Sequence, residues 1–349
     1  QYSYDFGGAV VKQDTGIPLS QIFAAMDGRL KLIDAQLPSG AHMVATTMDV
    51  AGTSGQMQHM TSFAWTQKFA GGNEVSIGTA NFAGQFFGLS DTPFATAGFA
   101  SNPLDNPYLS LANVQSYAGY GYGLGDGWVM KAGFMTGNGF TDNFASANGS
   151  GESIGQYGAG NVAGIAQIEK RSENGKFSLT ASSLKESDSL LGGTSSGLFA
   201  IGNTTTLGVT ASGAYRIGNK TWLAGLVSYG VSSATGGSGI VSGTSGIETT
   251  AFSAGVMHQD AFRVGDSTGF FVSQPLKVVK GNLLMDKPVD VSVTGDVLFS
   301  QTHVNLAPTA TEVDFETNYT TRLDNTSSIS GAVIYRLNPG HDAKAADDA

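Results

Sequence analysis

Cysteine is absent from the 349 residues, proline is scarce with 9 copies, and charged residues make up only 13%. The average globular chain has about 25% charged residues. The lack of cysteine is typical of exported bacterial proteins, whose stray thiols would be oxidised. The shortage of charge and proline argues against a disordered chain, because disordered segments are rich in both.

Basic residues are also few, since Lys and Arg total 18 against 28 Asp and Glu, a net charge of -10. Nucleic-acid binding needs a basic surface, so we expect no nucleic-acid partner. The sequence contains no run of 18 apolar residues, which excludes a transmembrane helix. It opens on a polar and aromatic stretch rather than a signal peptide, so we interpret the chain as mature or as a fragment.

One helix is predicted near the start, over residues 17–37. Ile22, Met26 and Ile33 recur there at helical spacing, and Pro38 would end the helix. We interpret residues 1–106 as an N-terminal segment, a linker or passenger remnant, that carries this helix and a β-hairpin near 60–80.

From Tyr108 onward the hydrophobic period is two, and turn residues separate eleven predicted strands. Strands of soluble proteins average about 5–6 residues, whereas strands that cross a membrane need about 9–11, and several of these run longer. Short turns alternate with long Gly/Ser loops, the pattern of an outer-membrane barrel. The predicted strands are 108–124, 128–137, 157–172, 176–188, 204–217, 221–232, 247–262, 267–279, 289–304, 311–323 and 327–337.

Alternation along these strands predicts one apolar and one polar face. In residues 311–323, Val313 and Phe315 oppose Glu312, Asp314 and Glu316. A lipid-facing row with acidic side chains toward a wet lumen explains this pattern. We therefore predict an all-β, antiparallel outer-membrane β-barrel of about 12 strands over residues 107–341, followed by an acidic tail or the start of a further strand at 342–349. A soluble β-sandwich or β-helix with half-exposed strands is the alternative.

Several segments of the second half resemble the C-terminal β-domain of alphaproteobacterial autotransporters whose passenger is a subtilisin-like serine protease. The resemblance covers about residues 80–341, and its motifs are short but follow one another in order. They are Ser273 to Val278 with Gly281, Val304 to Pro308 with Glu312 to Asp314, Arg336 to His341, Pro107 to Leu111, Tyr122 to Trp128, and Ser189 to Gly192.

The resemblance implies a barrel of about twelve strands that the barrel-assembly machinery inserts into the outer membrane, and through which an N-terminal passenger reaches the cell surface. It also implies a helix in the pore, for which residues 17–37 are the candidate. Arg29 and Lys31 on that helix would then face lumen acidic residues at Glu312, Asp314 and Glu316. A solvated helix face is the alternative explanation. The family ends on a last strand with a terminal aromatic residue, which this chain lacks.

No catalytic, metal or cofactor site is predicted in this chain. The segment from Asp14 to Ile17 resembles the surroundings of a subtilisin-like catalytic aspartate, but no histidine or serine motif accompanies it. Histidines are isolated and thiols are absent, which disfavours a metal site.

We therefore expect a non-enzymatic translocator barrel of type V secretion, embedded in outer-membrane lipid. The alternatives are an outer-membrane porin or channel, and a secreted soluble β-rich structural or adhesive protein.

Overall fold

A computed structural model describes residues 2–6, 9–13, 30–36, 41–51, 57–79, 83–89, 92–96, 99, 101, 103–112, 114–138, 160–322 and 328–347. The described residues are mainly β-structure, with two short α-helices, α1 (Ala83–Phe87) and α2 (Pro107–Ser110). The strands are β1 (Tyr2–Phe6), β2 (Ala9–Gln13), β3 (Leu30–Gln36), β4 (Ala41–Ala51), β5 (Met57–Lys68), β6 (Glu74–Gly78), β7 (Val114–Gly125), β8 (Trp128–Asn138), β9 (Gly160–Ser172), β10 (Gly175–Ser187), β11 (Ser189–Leu190), β12 (Gly193–Thr194), β13 (Ile201–Ile217), β14 (Thr221–Gly236), β15 (Val241–Gln259), β16 (Asp266–Val291), β17 (Val297–Asn305), β18 (Val313–Arg322) and β19 (Ser328–Leu337).

One sheet contains fifteen of these strands, and fourteen of them follow a single path from β3 to β19. Each strand on that path pairs antiparallel with the next. The β1–β2 and β11–β12 hairpins form two separate two-stranded sheets. Within the described residues β3 and β19 do not pair with each other, so the path is open at its two ends.

The sheet begins earlier than the sequence indicated. The hairpin predicted near 60–80 is present as β5 and β6, but both strands join the main sheet, as do β3 and β4. The sheet therefore starts before residue 107, and its path has more strands than the predicted number of about 12. The all-β antiparallel barrel class itself is confirmed.

The predicted helix over 17–37 is wrong where the structure describes it, because residues 30–36 form β3 and pair with β4. Leu30 and Leu32 alternate with Lys31 at strand spacing, and a short apolar run fits both periods. Residues 17–29, including Arg29, lie outside the described part of the chain.

Short turns join alternate strand pairs, as the sequence predicted. The β7–β8 turn contains Asp126 at φ 49° and Gly127 at φ 76°, and a Cβ at Gly127 would collide with the carbonyl oxygen of Arg171. Glycine is therefore required there. The β9–β10, β13–β14 and β15–β16 connections lie at the same end of the sheet, since those strands pair in register right up to the turns.

The faces of the sheet are inverted relative to a soluble protein. In β13 the outward Leu207 and Val209 are 59% and 49% exposed, while Thr206 and Thr210 on either side of this pair are 1% and 2% exposed. Strand β9 repeats the pattern with exposed Val162 and buried Glu169. Apolar side chains outside and polar ones inside are typical of a membrane barrel.

Candidate pore interior

The connection between β6 and β7 folds inward instead of running over the surface. We call the described residues between 83 and 112 the inner segment. The sequence predicted most of these residues to lie in the N-terminal segment, outside the barrel. The signal for an inward position was its phenylalanines, three of which, Phe86, Phe87 and Phe94, are at most 7% exposed in the structure.

Tyr108 is the most deeply enclosed residue of the inner segment, at 0% exposure. Its ring lies on Gly208 of β13 and Gly230 of β14, and a Cβ added at Gly230 would lie 2.5 Å from the Tyr108 hydroxyl oxygen. That hydroxyl lies 3.0 Å from the Thr249 hydroxyl of β15. Only glycine fits at these two positions, because a side chain would occupy the space of the Tyr108 ring. We call a glycine that is covered by an aromatic ring in this way a glycine seat.

The phenylalanines of α1 also pack on glycines of the wall. Phe86 and Phe87 pack edge to face, with ring centroids 4.8 Å apart. A Cβ at Gly119 would lie 2.5 Å from Phe86, and one at Gly133 would lie 2.5 Å from Phe87. Gly119 of β7 and Gly133 of β8 therefore leave the space that the two phenylalanine rings fill.

The far end of the inner segment reaches the opposite wall. Phe94 and Phe99 pack edge to face on Phe271 of β16, with centroids 5.6 Å and 4.7 Å away. The Ser101 hydroxyl donates to the Glu316 carboxylate of β18. Because the inner segment contacts β7, β13, β16 and β18, the sheet curves around it and encloses it.

Hydroxyl pairs cover the inner wall between these contacts. Ser178 and Ser212, Thr206 and Ser232, and Thr210 and Ser228 each lie with their hydroxyl oxygens 2.8 Å apart across neighbouring strands. Each pair satisfies polar groups that would otherwise be buried unpaired. The inner wall is therefore polar, but these hydroxyl groups are hydrogen-bonded to one another.

A buried ion network lies in the wall near the short turns, and the sequence did not indicate it. Lys131 Nζ lies 3.1 Å from Glu74 and 3.3 Å from Glu169, and Lys176 Nζ lies 3.2 Å from Glu169. Arg171 contacts Glu74 at 2.7 Å and also binds Glu169. The side chain of Glu169 is 0% exposed. Such a network is stable only because every charge has partners.

The network also holds the inner segment. Lys131 Nζ donates to the Phe86 carbonyl oxygen at 2.5 Å and lies 4.4 Å from the centroid of its ring. Gln167 extends the network by donating to Glu169 at 2.8 Å. The inner segment is therefore fixed by charge at one end and by aromatic packing at the other.

The acidic residues predicted for the lumen all lie in or beside β18. Glu312, Asp314 and Glu316 are 9%, 4% and 1% exposed, on the side of β18 from which Glu316 reaches the inner segment. Arg336 Nε of β19 lies 3.9 Å from both Glu312 and Asp314. Lys31 lies in strand β3 and not in a helix. Whether its side chain faces these acids stays a prediction.

Three of the motifs that carry the family resemblance meet at one corner of the sheet. The Glu312 backbone N–H donates to His341 Nδ1 at 2.8 Å, and His341 Nε2 lies 3.2 Å from the Leu276 carbonyl oxygen. Gly340 N–H in turn donates to the Glu312 carboxylate at 2.7 Å. The 273–278, 312–314 and 336–341 motifs are therefore one structural junction, at the end of the sheet opposite the short turns.

Among the described residues no group of three or more His, Asp or Glu side chains could hold a metal ion. No helix in that part of the chain is long and apolar enough to cross a membrane.

The inverted faces and the enclosed inner segment define the fold as an antiparallel β-barrel of the outer-membrane type. Two similar solved structures are porins. An anion-selective porin from Comamonas acidovorans has a TM-score of 0.43 and 10% identity, over 87% of this chain and 76% of that one. A porin refined at 1.8 Å resolution has a TM-score of 0.44 and 12% identity, over 86% of this chain and 88% of that one. No family model and no curated protein sequence matches the chain.

Proposed function

We propose that this chain is a channel of the bacterial outer membrane whose lumen is narrowed by the inner segment. The observation that carries the proposal is the inversion of the two faces, with Leu207 and Val227 59% and 60% exposed outside and Thr206 and Ser228 buried inside. An apolar outer surface would face lipid, which makes outer-membrane lipid the first partner.

The inner segment defines how such a channel would work. It is bounded by β6 and β7, so both of its ends are fixed to the wall, and its aromatic side chains sit in glycine seats on four other strands. A polypeptide held in this way restricts the size of what passes. We assign the inner segment no role in a chemical reaction, and the proposed function is not enzymatic.

Conductance of the purified protein in a planar lipid bilayer tests the proposal. The wild-type chain is expected to insert and carry a steady ion current. Gly230→Val, which displaces Tyr108 from its seat, is expected to raise the current. Gly164→Val is the matched control, because a Cβ at Gly164 has no atom within 4 Å and lies on the outer face of β9. A chain that stays in solution without detergent, or that carries no current in any variant, contradicts the proposal.

A translocator barrel that exports its own N-terminal passenger is the second candidate. Two observations favour it: the inner wall is almost completely covered, with Ser178 at 0% and Thr180 at 3% exposure, and the chain resembles the autotransporter β-domain. A translocator is expected to carry no current as isolated and to conduct only once the inner segment is displaced. The same recordings therefore separate the two candidates, since a wild-type current identifies the channel. In both cases the barrel-assembly machinery would insert the chain.

A further inference from the structure

A groove crosses the outer face of the wall close to the short turns. Its volume is about 410 Å³, and its lining comes from β9, β10, β13 and β14. Gly213 and Gly225, which lie opposite each other on β13 and β14, form its floor. Phe177, Tyr215 and Leu223, which are all exposed, form its sides. The groove therefore lies in the surface that the proposed channel turns to lipid.

The floor of the groove is not filled by the chain itself. A Cβ at Gly225 would have only the Ser253 carbonyl oxygen within 4 Å, at 3.3 Å. A Cβ at Gly213 would touch the Phe177 ring at 3.4 Å. The glycine seats of the inner wall are covered by aromatic rings, whereas Gly225 is open. Glycine inside a strand often marks the close approach of a ligand, and a ligand there would restore the packing contacts that an empty groove lacks.

Lys170 of β9 supplies a positive charge at this groove. It lies in one row with Trp128 of β8 and Phe177 of β10, its partners on either side. Its Nζ lies 5.2 Å from the centroid of the Trp128 ring and donates to the Asp126 carbonyl oxygen. In the described part of the chain no carboxylate pairs with Lys170, although Glu173 lies in the next turn. An ammonium group has three donors, so Lys170 keeps donors for an anion.

The aromatic residues around Lys170 indicate its depth in the bilayer. Trp128 and Tyr215 are 40% and 57% exposed close to the turns, and Trp and Tyr are enriched where hydrocarbon meets headgroups. Gly213 lies two residues from Tyr215 on the side away from the β13–β14 turn. A phosphate at the level of Lys170 would therefore belong to a lipid whose acyl chain reaches the glycine floor. Short turns face the periplasm in barrels of this type, which assigns the groove to the inner leaflet.

We propose that the groove binds one anionic phospholipid of the inner leaflet, with its phosphate on the Lys170 ammonium and an acyl chain over Gly213 and Gly225. Charge complementarity selects the headgroup, since a lysine bound to phosphate forms a charge-assisted hydrogen bond. Lys220, an exposed lysine of the β13–β14 turn, already pairs with Asp260 at 3.4 Å. The inference rests on the lipid-facing outer wall of the proposed channel and not on its conductance.

Native mass spectrometry of the full chain, released from detergent micelles, counts the bound lipids. The wild type is expected to retain one phosphatidylglycerol and to bind it about tenfold more tightly than phosphatidylcholine with the same acyl chains. Lys170→Gln is expected to weaken phosphatidylglycerol binding about tenfold, the effect of losing one hydrogen bond to a charged group. Lys220→Gln is the matched control and is expected to bind like the wild type.

A second pair of variants tests the floor. Gly225→Leu fills the groove and is expected to abolish retention of the lipid. Gly164→Leu, also on the outer face and with open space around its Cβ, is the control and is expected to retain it. Folding of each variant into lipid vesicles is checked first, and the comparison of the two lipids on the wild type needs no variant.

Three results would overturn the proposal: equal binding of the two lipids by the wild type, equal binding of phosphatidylglycerol by Lys170→Gln and Lys220→Gln, or full retention by Gly225→Leu. A wild-type chain that does not insert into lipid contradicts the channel proposal and this inference together. A chain that inserts and conducts but does not distinguish the two lipids contradicts this inference alone.

Discussion

The Tyr108 hydroxyl lies 3.0 Å from the Thr249 hydroxyl, although 141 residues separate them along the chain. Tyr108 belongs to the inner segment and Thr249 to β15, and the tyrosine ring between them covers Gly208 and Gly230. This one contact fixes the distance between the inner segment and three strands of the wall.

Replacing Gly230 with alanine is expected to lower the free energy of unfolding by about 1–3 kcal/mol, the usual cost of overpacking a buried site. The added Cβ would lie 2.5 Å from the Tyr108 hydroxyl oxygen, so the ring has to move. Urea unfolding in detergent micelles measures the change. Gly164→Ala, with open space around the new Cβ, is expected to leave stability unchanged. Equal effects at the two glycines would show that Tyr108 does not need its seat.

Replacing Glu169 with glutamine is expected to cost about 3–5 kcal/mol, because removal of one partner leaves buried charges uncompensated. Lys131 and Lys176, which are 1% and 5% exposed, would lose their shared carboxylate. Thermal unfolding in micelles gives the comparison with Glu173→Gln in the exposed β9–β10 turn. A Glu169→Gln variant as stable as Glu173→Gln would mean that the network contributes little.

Replacing Val227 with arginine tests whether the outer face meets lipid. At the middle of a bilayer this change costs about 2–4 kcal/mol, whereas a substitution on a water-exposed sheet stays within about 0.5 kcal/mol. Val227 is 60% exposed near the middle of β14. The measurement is folding into lipid vesicles against urea, with Ser233→Arg nearer the strand end as control. If Ser233→Arg prevented folding and Val227→Arg did not, Val227 would not lie in the lipid-facing belt.

Stability is expected to fall in mildly acidic solution because of His341. Burial lowers the pKa of the His341 imidazole, while its hydrogen bond to the Leu276 carbonyl and the charge of Glu312 partly oppose this. The unfolded chain takes up the proton near pH 6.5, so stability is full above that value and declines below it until the folded group is protonated too.

The control for this pH effect is His341→Asn, which keeps an acceptor for the Glu312 N–H but does not titrate. Urea midpoints between pH 5 and 8 are expected to vary less for this variant than for the wild type. Identical pH profiles would assign the dependence to other groups.

Strand positions were predictable because the polar side chains repeat with period two. The period of two predicted over residues 221–232 is confirmed, with Trp222 and Leu226 buried and Leu223 and Val227 exposed. The predicted loop at 233–246 was too long, since β14 extends to Gly236 and β15 begins at Val241. Small residues such as Ser and Gly carry no periodic signal, so the ends of these strands were not predictable.

The candidate site was predictable only in part. Alternation assigned Asp314 and Glu316 to one face, because acidic and apolar residues alternate along β18. The ion network was not predictable, because Glu74, Lys131 and Glu169 come from three strands and meet only through their register. Sequence spacing contains no information about which strands lie side by side.

The position of the inner segment has a consequence for biogenesis. Tyr108 is synthesised about a hundred residues before Gly208, the first strand of its seat. The segment therefore has to wait for β13 to β15 before it can settle, and a wall that curled up without it would shut it out. We therefore expect the barrel to close and to enclose the inner segment together, and a nascent chain halted before Thr249 to leave Phe94 and Phe99 without their partner Phe271.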